Sequence, residues 1–100
     1  MKPLALAQLA QWTHGRLHGS CAGEVVVDAV ATDTRAFPQD ASAPLFVAIV
    51  GERFDGHDHL DAARSAGARA ALVSRAVDVD LPQLVVADTV QALAAWAAAL

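Results

Sequence analysis

Two polar clusters carry residue types that could grip an anion. Thr32-Asp33-Thr34-Arg35 sets hydroxyls and a carboxylate beside a guanidinium, whose planar fork of donors matches phosphate or carboxylate geometry. Gly51-Glu52-Arg53-Phe54-Asp55-Gly56-His57 brackets charged side chains and an imidazole between glycines. Backbone amides around Gly56 and the helix start that follows could present donors to a phosphate. A plainer reading fits the same residues: Asp33 and Arg35 form a surface ion pair, and the glycines serve only the turn. Phe54 could stack on a base or sugar, or anchor the loop on the core.

Other chemistries find less support. His57-Asp58-His59, with Asp55 and Asp61 nearby, contains metal-ligand types, but His57 and His59 would stand about 200° apart around a helix. A helix N-terminus favoured by Asp58 and Asp61 accounts for them better, and no metal site is expected. Lys2 is the only lysine, so the chain has no Gly-x-x-x-x-Gly-Lys-Ser/Thr loop to cradle a nucleotide triphosphate. No serine sits in a nucleophile elbow, and Cys21, the only cysteine, has no evident histidine partner. No catalytic residue is assigned. His14 and His18 read as solvent-facing turn residues.

The elements that must position these clusters follow from periodicity. Leu6, Leu9, Ala10 and Thr13 have helical spacing, predicting a helix over about 5–13 stopped by Gly15. Val25–Val27 and Ala29–Ala31 have strand composition and end at the first cluster. Residues 37–44, with two prolines, read as a loop. Leu45–Val50 is a continuous apolar run, expected to be a central strand buried on both faces, and it ends at the second cluster. A helix is expected over about 58–66, closed by Gly67. Two short strands follow, 70–73 and 84–86, joined by an acidic connection. Asp88-x-x-Gln91 resembles a capping box opening a last helix with Val90, Leu93, Ala94, Ala97 and Leu100 on one face. That helix carries no C-terminal stop signal, as expected of a chain that continues. The alternation predicts an α/β fold: a single small domain, a mixed sheet with helices packed on its faces. Both clusters then follow strands, where open α/β sheets commonly bind ligands.

Bulk properties agree. The 100 residues suit one domain, and 55% hydrophobic with 18% charged residues excludes disorder. Alanine supplies 24 of them, so the core must draw its bulk from Leu, Val, Ile, Phe and Trp. A net charge of −4 argues against a nucleic-acid or anionic-membrane surface. A single cysteine forbids an intrachain disulfide, and Gln8 and Gln11 interrupt the apolar start, so no signal peptide is read. The default location is the cytoplasm.

Taken in order, T-D-T-R, L-F-V-A-I, G-E-R-F-D-G-H-D, G-A-R-A-A-L-V and V-V-A-D-T-x-x-A-L are similar to the N-terminal domain of the Mur ligase family, closest to the MurF type that adds D-alanyl-D-alanine. The resemblance runs from Leu6 to the chain end. It implies that residues 1–100 are the N-terminal UDP-sugar substrate-binding domain of a three-domain ligase, not catalytic alone. A central ATPase, to which ATP and Mg belong, and a C-terminal domain would lie elsewhere, and this domain would hold no cofactor. The substrate implied is UDP-N-acetylmuramoyl-tripeptide, whose carboxylate is activated as an acyl phosphate and attacked by the dipeptide amine.

Thr34 and Arg35 match the family's D-[ST]-R element at the uridine end, and Gly51 through His57 match its second substrate-facing loop. The residues implied to bind substrate are Thr34, Arg35, Arg53, Asp55, Gly56 and His57. One departure is the longer, glycine-free stretch 38–44, where the family has a short Pro-Gly-Asp turn; it puts the contacts beside D-T-R in doubt. The alternatives are the sister ligase that adds the third amino acid, a free-standing nucleotide-sugar module, and an unrelated α/β protein dimerising through its Ala-rich last helix.

Overall fold

The computed structural model describes residues 3–19, 22–33, 42–51 and 55–99. In chain order the elements are β1 (Leu4–Ala5), α1 (Leu6–Thr13), β2 (Arg16–His18), β3 (Val26–Val27), β4 (Ala29–Ala31), β5 (Pro44–Val47), α2 (Leu60–Ala66), β6 (Ala70–Val73), β7 (Gln83–Val85) and α3 (Thr89–Ala99). Strands β4 to β7 are mutually parallel, and β2 joins β7 antiparallel, giving a mixed sheet in the order β2-β7-β6-β5-β4. β1 and β3 form a separate antiparallel ribbon. The α/β expectation holds, and β5 is the expected central strand, paired on both sides with β4 and β6.

Strand alternation sends side chains to two cores, one on each face of the sheet. Leu45, Val47, Ala70, Leu72, Leu84 and Val86 pack on one side with Leu6 and Leu9 of α1 and Ala92 of α3. Phe46, Ala48, Ala71 and Val73 pack on the other with Leu60 and Ala63 of α2. Because both faces are covered, β5 and β6 are buried at every residue, which is why they read as unbroken apolar runs.

Several local expectations are corrected by tertiary contacts. Helix α1 stops at His14, itself in the left-handed region (φ 57°), with its amide on the Ala10 carbonyl. Gly15 is there for space: a Cβ would sit 2.6 Å from Leu84 Cδ1 and 2.9 Å from Val86 Cγ1. His18 belongs to a strand, because Arg16–His18 pairs with β7.

The β run from 25 to 31 breaks at Asp28. Its carboxylate accepts the Ser42 amide and hydroxyl (3.1 and 2.9 Å) and the Ala43 amide (3.0 Å), and its own amide donates to the Ala43 carbonyl. The Ser42 hydroxyl chiefly, with the Ala43 and Ser42 amides, holds the Asp28 carboxyl below its ordinary value against a smaller opposing effect of burial.

The face of α3 is also rotated from the expected one. Val90 is 55% exposed while Ala92 is buried, and Ala94 is exposed. The buried Thr89 hydroxyl donates to the Ala48 carbonyl at 2.8 Å, and this bond fixes which side of α3 meets the sheet. Ala97 and Leu100 lie outside the described side chains.

Candidate functional site

Because β4 to β7 run the same way, their carboxyl ends share one edge of the sheet, and a crevice of about 270 Å³ opens there. Val50 from beyond β5, Ser74 from beyond β6, and Ala87, Asp88, Thr89 and Val90 at the start of α3 line it. Its floor is tied together by the Thr89–Ala48 bond and by the Val86 amide on the Val73 carbonyl (2.9 Å). Asp88 Oδ1 accepts the Val90 and Gln91 amides at 2.9 and 3.2 Å. The expected cap is therefore present, and it occupies the N-terminal donors of α3.

The second cluster stands behind Ser74. Val50 and Asp55 pair as an isolated antiparallel bridge, which sets Asp55 beside the chain leaving β5. Gly56 then passes so close to the backbone just beyond β5 that a Cβ would lie 2.8 Å from both Ala48 Cα and Ile49 N. The 3-10 turn Gly56–His59 follows and leads into α2. Asp55 Oδ1 accepts the His57 amide at 2.9 Å and lies 2.6 Å from His57 Nδ1. His57 Nε2 accepts the Ser74 amide at 2.9 Å, with the Ser74 hydroxyl at 3.2 Å. A backbone amide can only donate, so in this arrangement the imidazole carries its proton on Nδ1, toward Asp55. Arg75 Nη2 donates to Asp55 Oδ2 at 2.9 Å. Arg75 first, then the His57 amide and ring, hold the Asp55 carboxyl well below the usual carboxylate range.

Of the residues expected to bind substrate, Asp55, Gly56 and His57 are thus brought together, while Thr34, Arg35 and Arg53 lie outside the described residues. His57 is buried and His59 exposed, so the two imidazoles diverge. The amides of this turn are occupied within the chain: Gly56 on the Ile49 carbonyl, His57 on Asp55 Oδ1 and Asp58 on the Asp55 carbonyl. The phosphate-facing donors expected around Gly56 are therefore not on offer. Sequence reading passed over Ser74 and Arg75, although they are polar residues directly after a strand, the same signal that marked the two clusters.

The chain is a small α/β domain with a crevice at the carboxyl ends of its parallel strands, the place where open α/β sheets commonly bind ligands. Residues 26–99 match the family model described as Mur ligase family, catalytic domain. The chain is 48% identical over 99 residues to the UDP-N-acetylmuramoyl-tripeptide–D-alanyl-D-alanine ligase of Escherichia coli (strain K12), covering 96% of this chain and 21% of that protein. It is 42% identical over 90 residues to the ligase of the same name in Haemophilus influenzae, covering 89% and 19%. The fold is similar to a crystal structure of MurF from Acinetobacter baumannii, with a TM-score of 0.81 and 34% identity over 95% of this chain and 20% of that one. The chain belongs to the Mur ligase family and spans about a fifth of the length of these relatives.

Proposed function

We propose that this chain is the N-terminal UDP-sugar-binding domain of a cytoplasmic ligase that adds D-alanyl-D-alanine to UDP-N-acetylmuramoyl-tripeptide in peptidoglycan precursor synthesis. The observation that carries the reading is identity across nearly the whole chain to two proteins of that name. Among the described residues no helix is long and apolar enough to cross a bilayer.

Thr34, Arg35 and Arg53, with Asp55, Gly56 and His57, form the substrate-facing set in this proposal. The arginines supply charge to a phosphate-bearing ligand, and Asp55, Gly56 and His57 fix the path of the second loop. The residues here do not fit an ATP-phosphate cradle, since Lys2 is the only lysine and the amides of the 56–58 turn are already bonded. In this reading ATP, Mg, acyl phosphate formation and attack by the dipeptide amine belong to a central ATPase and a C-terminal domain of the full-length protein.

Calorimetric titration of the full-length protein with UDP-N-acetylmuramoyl-tripeptide tests the reading. A charge-assisted hydrogen bond contributes about 1.5 to 3 kcal/mol, so Arg35→Ala is expected to weaken binding roughly tenfold to over a hundredfold. Its melting temperature should barely move, because a surface ion pair with Asp33 would add only about 0 to 1 kcal/mol. Unchanged affinity with a markedly lower melting temperature would make Arg35 a structural residue.

A further inference from the structure

The Ser74–Arg75 segment holds the 55–57 segment at two points. One is backbone to ring, the Ser74 amide on His57 Nε2. The other is side chain to side chain, Arg75 Nη2 on Asp55 Oδ2. Asp55 Oδ1 closes the circuit by taking both His57 donors, and Gly56, pressed on the Ala48–Ile49 backbone, leaves little slack between them. Arg75 is the one exposed cation in this circuit, with its side chain 55% accessible.

We infer that Arg75 is a positioning residue for the substrate-facing residues Asp55, Gly56 and His57, acting through Asp55 and not by touching the ligand. The inference rests on the UDP-sugar reading above. Three observations support it. Arg75 does not line the crevice, whereas its neighbour Ser74 does. Its guanidinium is engaged with the carboxylate at the foot of the loop, where Val50 and Asp55 bridge. An ion pair this exposed adds little to global stability, so its consequence is local: it holds Asp55 Oδ2 in place, which leaves Oδ1 aligned on the His57 amide and ring. Without Arg75, the Asp55 carboxylate can swing and its hold on the His57 amide and ring loosens.

The test is titration of the full-length protein with UDP-N-acetylmuramoyl-tripeptide, using wild type, Arg75→Ala, Arg75→Lys, Asp55→Asn and the Asp55→Asn/Arg75→Ala double variant, each with a melting curve. Arg75→Ala should weaken binding by roughly fivefold with an unchanged melting curve, and Arg75→Lys should recover part of the loss. In the Asp55→Asn background, removing Arg75 should cost nothing further. Fully additive losses would mean that Arg75 meets the ligand directly and would overturn the inference. So would wild-type affinity in Arg75→Ala, or a lowered melting temperature that Arg75→Lys fails to restore. A wild-type protein that does not bind the probe removes the UDP-sugar reading itself and this inference with it, an outcome distinct from the others.

Discussion

At the scale of single residues, the motif G-E-R-F-D-G-H-D separates into different physical jobs. Asp55 accepts hydrogen bonds from both its flanks, and His57 bridges Asp55 to β6. Gly56 is needed because the Ala48–Ile49 backbone, just beyond β5, lies where a Cβ would go. Both clashing atoms are main chain, so no side-chain rotation can relieve the overlap. Gly56→Ala should cost about 1 to 3 kcal/mol, as overpacking does elsewhere. In a domain of this size that is a fall in melting temperature of roughly 5 to 20 °C. Thermal denaturation followed by circular dichroism measures it, and a variant melting with wild type would show that the turn can lift away from β5 freely.

At the scale of elements, the connection between β6 and β7 is braced from within the core. The buried Gln83 accepts the Val77 amide at 2.8 Å and donates to the Val77 and Leu81 carbonyls at 2.9 and 3.3 Å. Gln83→Leu keeps the volume but strands these backbone groups, so a loss of about 1 to 3 kcal/mol is expected. Faster hydrogen exchange at the Val77 amide would accompany it, and unchanged exchange there would count against the brace. Nothing local announces this role, since a Gln before Leu84 and Val85 reads as an ordinary strand start. The alternation of strands and helices was legible because apolar periodicity is a local signal, and so was the Asp88 cap. What escaped depends on partners distant in sequence. Arg16–His18 becomes a strand only beside β7, Gly15 is dictated by Leu84 and Val86, and the side of α3 that faces inward is chosen by the bond to Ala48. The site divides in the same way: the D-G-H turn was readable as a motif, whereas Arg75 acquires meaning only when β6 is laid beside β5.

At the scale of the whole molecule, the question is how the chemistry is divided between this domain and the rest of the ligase proposed above. The domain is acidic, with a net charge of −4, so a diphosphate-bearing ligand must be attracted by local donors instead of the overall field. Two places where a phosphate might find backbone donors are already filled. Asp88 caps α3, placing a carboxylate where an anion would otherwise settle, and the amides of residues 56–58 are spent on Ile49 and Asp55. With Lys2 the only lysine, the chain has no glycine-rich, lysine-bearing loop of the kind that cradles a nucleotide triphosphate. The 100-residue chain should therefore fold, having its own two-faced core, yet turn over nothing. Purified residues 1–100, supplied with ATP, Mg, UDP-N-acetylmuramoyl-tripeptide and D-alanyl-D-alanine, should release phosphate no faster than a blank, while a cooperative thermal melt shows that the chain is folded. Phosphate release that depends on the tripeptide substrate would place nucleotide chemistry inside this domain and undo the proposed division of labour.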